Sequence, residues 1–219
     1  MDGGLAEFMV AECRTLVPVP PHVDADVAAF AEPLSVAVRA ERKAGDLAGR
    51  SVAVVGAGTI GLLLIQLLAG TGARSVTAVD PSPTRRALAA TLGADVVTEP
   101  AEHIGCVDVV FECAGTPAAV DLAFQTLGRG GTLVLVGTGQ STHEIPLRGV
   151  ILREQRILGS AAHVWDVDVA AAVALLARGT VDPRPLLSGV IPLAAAVDEG
   201  FVPLSEGSSA LKLLIDPSR

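Results

Sequence analysis

The chain has 219 residues, half of them apolar and 18% charged, which supplies ample material for a core and excludes an intrinsically disordered chain. Twenty-four acids against sixteen bases leave a formal charge of −8, a field that repels a phosphate backbone, so nucleic acid is not expected as a partner. The longest apolar run, Ile60 to Ala69, is broken by Gly61 and Gln66 and is too short to cross a bilayer, and the start, Met1-Asp2-Gly3-Gly4, has no secretory pattern. The three cysteines, Cys13, Cys106 and Cys113, are odd in number and lack CxxC spacing, which points to a reducing, cytoplasmic setting without a disulfide framework.

In chain order, Leu5–Val10 and Thr15–Val19 read as two short strands ending near prolines, and Ala25–Lys43 as a helix interrupted at Glu32-Pro33. From Gly49 onward, β-rich runs alternate with Ala/Leu-rich helical stretches. Ser51–Val55, Ser75–Val79, Val96–Val97, Val107–Phe111, Gly131–Val136 and Arg156–Gly159 read as strands. Leu62–Ala69, Thr84–Leu92, Pro117–Leu127 and Val167–Arg178 read as helices. Unbroken Val/Ile/Leu strands separated by crossover helices predict a parallel sheet covered on both faces. The expected fold is therefore α/β, a Rossmann doubly wound sheet of about six strands. A last strand is expected at Ala210–Ile215.

Val55-Gly56-Ala57-Gly58-Thr59-Ile60-Gly61 is a GxGxxG between a strand and a helix. Gly56 permits the tight turn, Gly58 lets a pyrophosphate approach the backbone, and Gly61 lets helix and strand pack closely. The helix amino terminus, at Thr59 and Ile60, then presents free N–H groups and a partial positive charge to the phosphates. Asp80 ends the second strand about 20 residues on, where an acid accepts hydrogen bonds from the adenine ribose of NAD. It also disfavours NADP, because a carboxylate about 4 Å from one phosphate charge costs about 4 kcal/mol at an effective dielectric of about 20. Arg85 and Arg86 read mainly as a solvated helix face, and either would offset part of that repulsion.

These features fall in a longer series: Gly3–Phe8, Ala31-Glu32-Pro33-Leu34-Ser35, the glycine turn, Asp80, Leu92-Gly93-Ala94-Asp95, Phe111-Glu112-Cys113-Ala114-Gly115, Gly130–Gly137, Arg153-Glu154, Gly159-Ser160 and Leu211–Ile215. The series resembles the medium-chain dehydrogenase/reductases, specifically the zinc-dependent polyol branch around sorbitol and butanediol dehydrogenases, over essentially the whole chain. Members of that family begin with a GroES-like catalytic lobe that carries the zinc ligands. The resemblance implies that residues 1–44 are a remnant of that lobe with its connecting helix, 45–192 the NAD-binding domain and 193–219 a return segment, so that the two chain ends form a small β remnant. Met1 favours a naturally short protein over a fragment.

The resemblance implies contact of Cys113, Ala114 and Gly137 with the cofactor, beside Gly56, Gly58, Thr59, Ile60, Gly61, Asp80 and Arg85. It matches Glu32 alone to a position that lines the catalytic zinc. A catalytic zinc needs three protein ligands. The candidates Glu32, Cys13, His22, His103, Cys106, Cys113, His143 and His163 show no ligand spacing, so no metal is expected. His163 stands where the polyol branch has an Arg-aromatic pair; it is either an acid/base group at the sheet rim or a surface histidine.

Three functions stay open. The first is an NAD-dependent alcohol or polyol dehydrogenase passing hydride between nicotinamide and a small alcohol or ketone, with Glu32 and His163 as its catalytic candidates. The second is a non-catalytic NAD-binding module, a pseudoenzyme or the cofactor half of a split dehydrogenase whose catalytic lobe is a separate polypeptide. The third is a redox-neutral enzyme that uses bound NAD transiently. The family dimerises through sheet edges, and Leu187–Pro192 is expected to serve a homodimer in the same way.

Overall fold

The computed structural model describes residues 3–102, 104–139 and 142–218. His103 therefore lies outside the described residues. In chain order the elements are α1 (Ala25–Ala28), α2 (Ala31–Ala44), β1 (Ser51–Val55), α3 (Thr59–Leu68), β2 (Ser75–Val79), α4 (Pro83–Thr91), β3 (Val96–Thr98), β4 (Val107–Glu112), α5 (Pro117–Thr126), β5 (Leu127–Leu135), α6 (Leu147–Arg153), β6 (Arg156–Gly159), α7 (Ala170–Ala177), β7 (Leu187–Pro192), α8 (Val202–Ser205) and β8 (Lys212–Asp216).

Six strands form one parallel sheet in the order β3-β2-β1-β4-β5-β6. This is the doubly wound arrangement the alternating pattern predicts, and it reverses direction between β1 and β4. Every residue of β1 is buried because both faces of the strand are covered. Val52 and Val54 pack into a core with Phe30, just before α2, Leu34 of α2, Leu62 to Ile65 of α3 and Val173 and Leu176 of α7. Ala53 and Val55 face the opposite core, with Ala119, Ala123 and Phe124 of α5. The alternation of side chains along one strand thus assigns the helices to two layers.

The helix expected over Ala25–Lys43 breaks at Ala29-Phe30 rather than at Pro33, which sits in the first turn of α2, where a missing N–H costs nothing. Asp168, fully buried, accepts from the Arg42 guanidinium at 2.6 Å and from the Val164 N–H at 2.7 Å. The link fixes α2 to the π-helical turn Trp165–Val169 after β6.

The expected strands at Leu5–Val10 and Thr15–Val19 do not form. The first segment is bent and irregular, and Cys13–Thr15 is a single 3-10 turn. Among the described residues no strand pairs with them, and an isolated strand has no partner for its backbone groups. Among the described residues the small sheet comes from the C-terminal part alone, β7 pairing in parallel with β8. Leu187–Pro192, expected at a dimer contact, therefore has one edge occupied within its own chain. No helix among the described residues is long and apolar enough to cross a membrane.

Candidate functional site

The carboxyl ends of β1, β2 and β4 open onto a cleft of about 570 Å³ lined by Gly56, Gly58, Asp80, Arg85, Cys113 and Ala114 among others. It lies at the reversal point of the sheet, where open α/β folds bind their ligands. Helices α4 and α5 begin with side-chain caps, Ser82 accepting from the Arg85 N–H and Thr116 from the Ala119 N–H. α3 begins at Gly58 with no side-chain cap. Its first-turn N–H groups are left to whatever occupies the cleft, and its dipole favours an anion there.

The glycines divide by role. A Cβ on Gly61 would stand 2.0 Å from the Gly56 carbonyl oxygen, so the crossing of turn and helix requires glycine. Gly56 has φ +100°, and a Cβ there would lie 2.9 Å from the Ala114 nitrogen. A Cβ on Gly58 would meet nothing within 4 Å, although this residue lines the cleft. The space kept clear at Gly58, over an uncapped helix end, fits the diphosphate of a dinucleotide.

Asp80 is 3% exposed. Its carboxylate accepts from the Ala57 N–H at 2.8 Å and from the Ser82 N–H at 2.8 Å. It thus clamps the glycine turn to the end of β2 while lining the cleft. The Arg86 guanidinium donates to the carbonyls of Asp80 and Pro81. Thr59 directs its hydroxyl to the Leu211 carbonyl at 2.7 Å, tying the start of α3 to the segment before β8. Ile60 lies in the first turn of α3 but not in the cleft lining. Cys113 lines the cleft, and burial and then the neighbouring Glu112 charge push its thiol well above the ordinary thiol range.

Gly137 lies outside this cleft and lines an adjoining cavity of about 280 Å³ with Glu112 and His143. Glu32 and His163, the two catalytic candidates, are brought together, with Nδ1 of His163 3.7 Å from Oε1 of Glu32. Neither lines the large cleft. His163 follows Ala162, which has φ +45°, a left-handed conformation that costs a non-glycine residue and turns the chain after β6. Sequence reasoning overlooked Glu112 as a site residue; its signal was an acid directly after the apolar run Val109-Val110-Phe111, at the carboxyl end of β4.

Among the described residues no group of three or more His, Cys, Asp or Glu side chains is placed to hold a metal ion. A catalytic zinc takes three protein ligands, so these residues do not fit one.

Residues 59–178 match the family model of the zinc-binding dehydrogenases. L-idonate 5-dehydrogenase (NAD(P)(+)) of Escherichia coli is 34% identical over 88% of this chain and 58% of its own. Human sorbitol dehydrogenase is 33% identical over 99% of this chain and 64% of its own. The chain thus spans about three fifths of the length of these relatives. The crystal structure of L-idonate 5-dehydrogenase superposes with a TM-score of 0.84 at 32% identity, covering 91% of this chain and 59% of that one. Galactitol-1-phosphate dehydrogenase of Escherichia coli superposes with 0.88 at 26% identity, covering 98% and 67%. With more than half of its residues inside the family model and its sheet superposed on such enzymes, the chain belongs to the zinc-binding dehydrogenase family.

Proposed function

We propose that this chain binds NAD in the cleft over the β1, β2 and β4 turns and serves an oxidoreductase that acts on a small alcohol or ketone. The observation that carries this reading is the uncapped start of α3, with Gly58 facing open space inside the cleft. When bound, nicotinamide supplies the hydride acceptor or donor. The chain's own residues bind and orient it: the first-turn amides of α3 hold the diphosphate and Asp80 faces the ribose. The E. coli relative's name includes NAD(P)(+), and both relatives are named for polyol-type substrates, which supports a nicotinamide dinucleotide and a small hydroxylated substrate. The buried Asp80 carboxylate favours NAD, since a 2′-phosphate would meet its charge in a low-dielectric wall.

Glu32 and His163 are the acid–base candidates for the substrate hydroxyl proton, supported by their approach at the carboxyl end of β6. A second reading, that this is the cofactor half completed by a further catalytic lobe on a separate polypeptide, is favoured by the apolar side chains left in solvent near the amino end. Phe8 is 87% exposed and Val10 76%. The three free cysteines support a reducing, cytoplasmic setting.

Titration of the purified chain with NADH, followed by nicotinamide fluorescence, tests the cofactor assignment; no binding of NADH or NAD overturns it. A panel of alcohols and ketones then separates the two readings. Turnover supports an oxidoreductase complete in this chain, and binding without turnover supports the cofactor half.

A further inference from the structure

At the end of β4 an ionisable side chain is withdrawn from solvent for no reason that core packing supplies. Glu112 is 1% exposed, and a carboxylate so placed loses its hydration unless donors replace it. The donors are backbone amides: Oε1 accepts from the Ala114 N–H at 2.8 Å and from the Gly115 N–H at 2.7 Å. The main-chain carbonyl of the same residue accepts from the Val136 and Gly137 N–H groups, both at 2.9 Å. One residue therefore gathers the turn after β4 with its side chain and the turn after β5 with its backbone.

The gathered turns have no slack. Gly115 has φ +69°, and a Cβ there would lie 3.1 Å from the Gly137 carbonyl carbon. A Cβ on Gly137 would lie 2.2 Å from the Gly115 nitrogen and 2.8 Å from Oε2 of Glu112. On the other side, the Ala114 nitrogen is the atom a Cβ on Gly56 would strike. Three strand ends, β1, β4 and β5, thus meet backbone against backbone. The amides at their centre point at the Glu112 carboxylate and are not free to bind a ligand directly.

We propose that Glu112 is a positioning residue of the cofactor cleft: by holding the Ala114 and Gly115 amides it sets the height of the β4 turn against Gly56, and with it the floor on which the dinucleotide lies. The inference rests on the cofactor reading above. What matters is the reach of an acceptor oxygen to both amides, and not the negative charge, since Glu112 lines the adjoining cavity and not the cofactor cleft. Glu112→Gln keeps the reach and removes the charge, whereas Glu112→Asp keeps the charge and shortens the reach by one methylene.

The test measures NADH affinity of the wild-type chain, Glu112→Gln and Glu112→Asp, together with amide exchange at Ala114 and Gly115 in the unliganded proteins. The Gln variant is expected to bind within about threefold of wild type with both amides protected. The Asp variant is expected to bind about tenfold or more weakly, with accelerated exchange at both positions, as befits an acceptor that no longer reaches two buried amides. Asp binding as tightly as wild type, or Gln falling as far as Asp, overturns the proposal. Failure of the wild-type chain to bind NADH is a different result, which removes the cofactor reading itself and this inference with it. Thermal melting of both variants separates a general loss of fold, which would lower binding in Gln and Asp alike, from the expected contrast between them.

Discussion

Asp80 shows how much one side chain in this cleft is asked to do. Read from the strand-turn-helix pattern alone it is a ribose acceptor; in the folded chain each of its oxygens also holds a backbone N–H, that of Ala57 or Ser82. Replacing it by Asn turns an amide NH₂ toward one of those donors. We expect Asp80→Asn to lower stability by about 1–3 kcal/mol, the cost of one buried unsatisfied donor, and to narrow the preference for NAD over NADP. Thermal melting and a pair of cofactor titrations measure both, and an unchanged melt would remove the clamp. Gly58 and Gly61 are expected to part company in the same assays. Gly58→Val costs less than about 1 kcal/mol, since its side chain enters open space, yet abolishes cofactor binding. Gly61→Ala damages the fold, because its new atom would sit on the Gly56 carbonyl. Retained NADH binding by Gly58→Val would contradict the placement of the diphosphate.

Among the elements, the strands were plain in the sequence because burial on both faces demands unbroken apolar runs, as in Ser51–Val55. α6 was not foreseen: Leu147–Arg153 is short, rich in β-branched and charged residues, and buries none of its side chains. β5 starts earlier than expected, at Leu127, because Leu127 pairs with Val107 of β4 and Gly128–Gly131 bulges out before the ladder resumes with Thr132 opposite Val109. The amino ends of β1 and β4 are joined by Asp108, whose carboxylate accepts from the Ser51 N–H and hydroxyl, both at 2.8 Å. Those bonds, the backbone one foremost, hold the Asp108 carboxyl below its ordinary value. A carboxyl depressed by folding stabilises the native state above its unfolded pKa, and that contribution fades as pH falls through the folded one. Burial raises Glu41 and Glu112 instead, so their linkage favours the native state on acidification and is lost as pH rises through their folded pKa. The comparison of wild type with Asp108→Asn isolates the first effect: below about pH 4 the wild-type melting temperature should fall more steeply than the variant's. Parallel curves would show that the Ser51 bonds carry no acid-linked stability.

At the scale of the molecule, the Rossmann sheet is self-contained while its flanks are not. β7 and β8 form a two-stranded parallel pair, a poor structure by itself, and Leu5, Phe8, Met9 and Val10 stand exposed. Such surface is covered by association. We expect a homodimer, with the edge of β7 not paired to β8 as one available contact; a monodisperse monomer at micromolar concentration in light scattering would refute it. The parallel sheet, its helical layers and the glycine turn could be read from residue order, because each follows from short-range rules: side-chain alternation, apolar runs, and the room and freedom glycine gives the backbone. The approach of His163 to Glu32, the tie from Thr59 to Leu211 and the enclosure of Glu112 could not. For the first two, strand order and register set distances between residues far apart in the chain; for Glu112, they press the turns after β1 and β5 against its own. No local pattern carries that information.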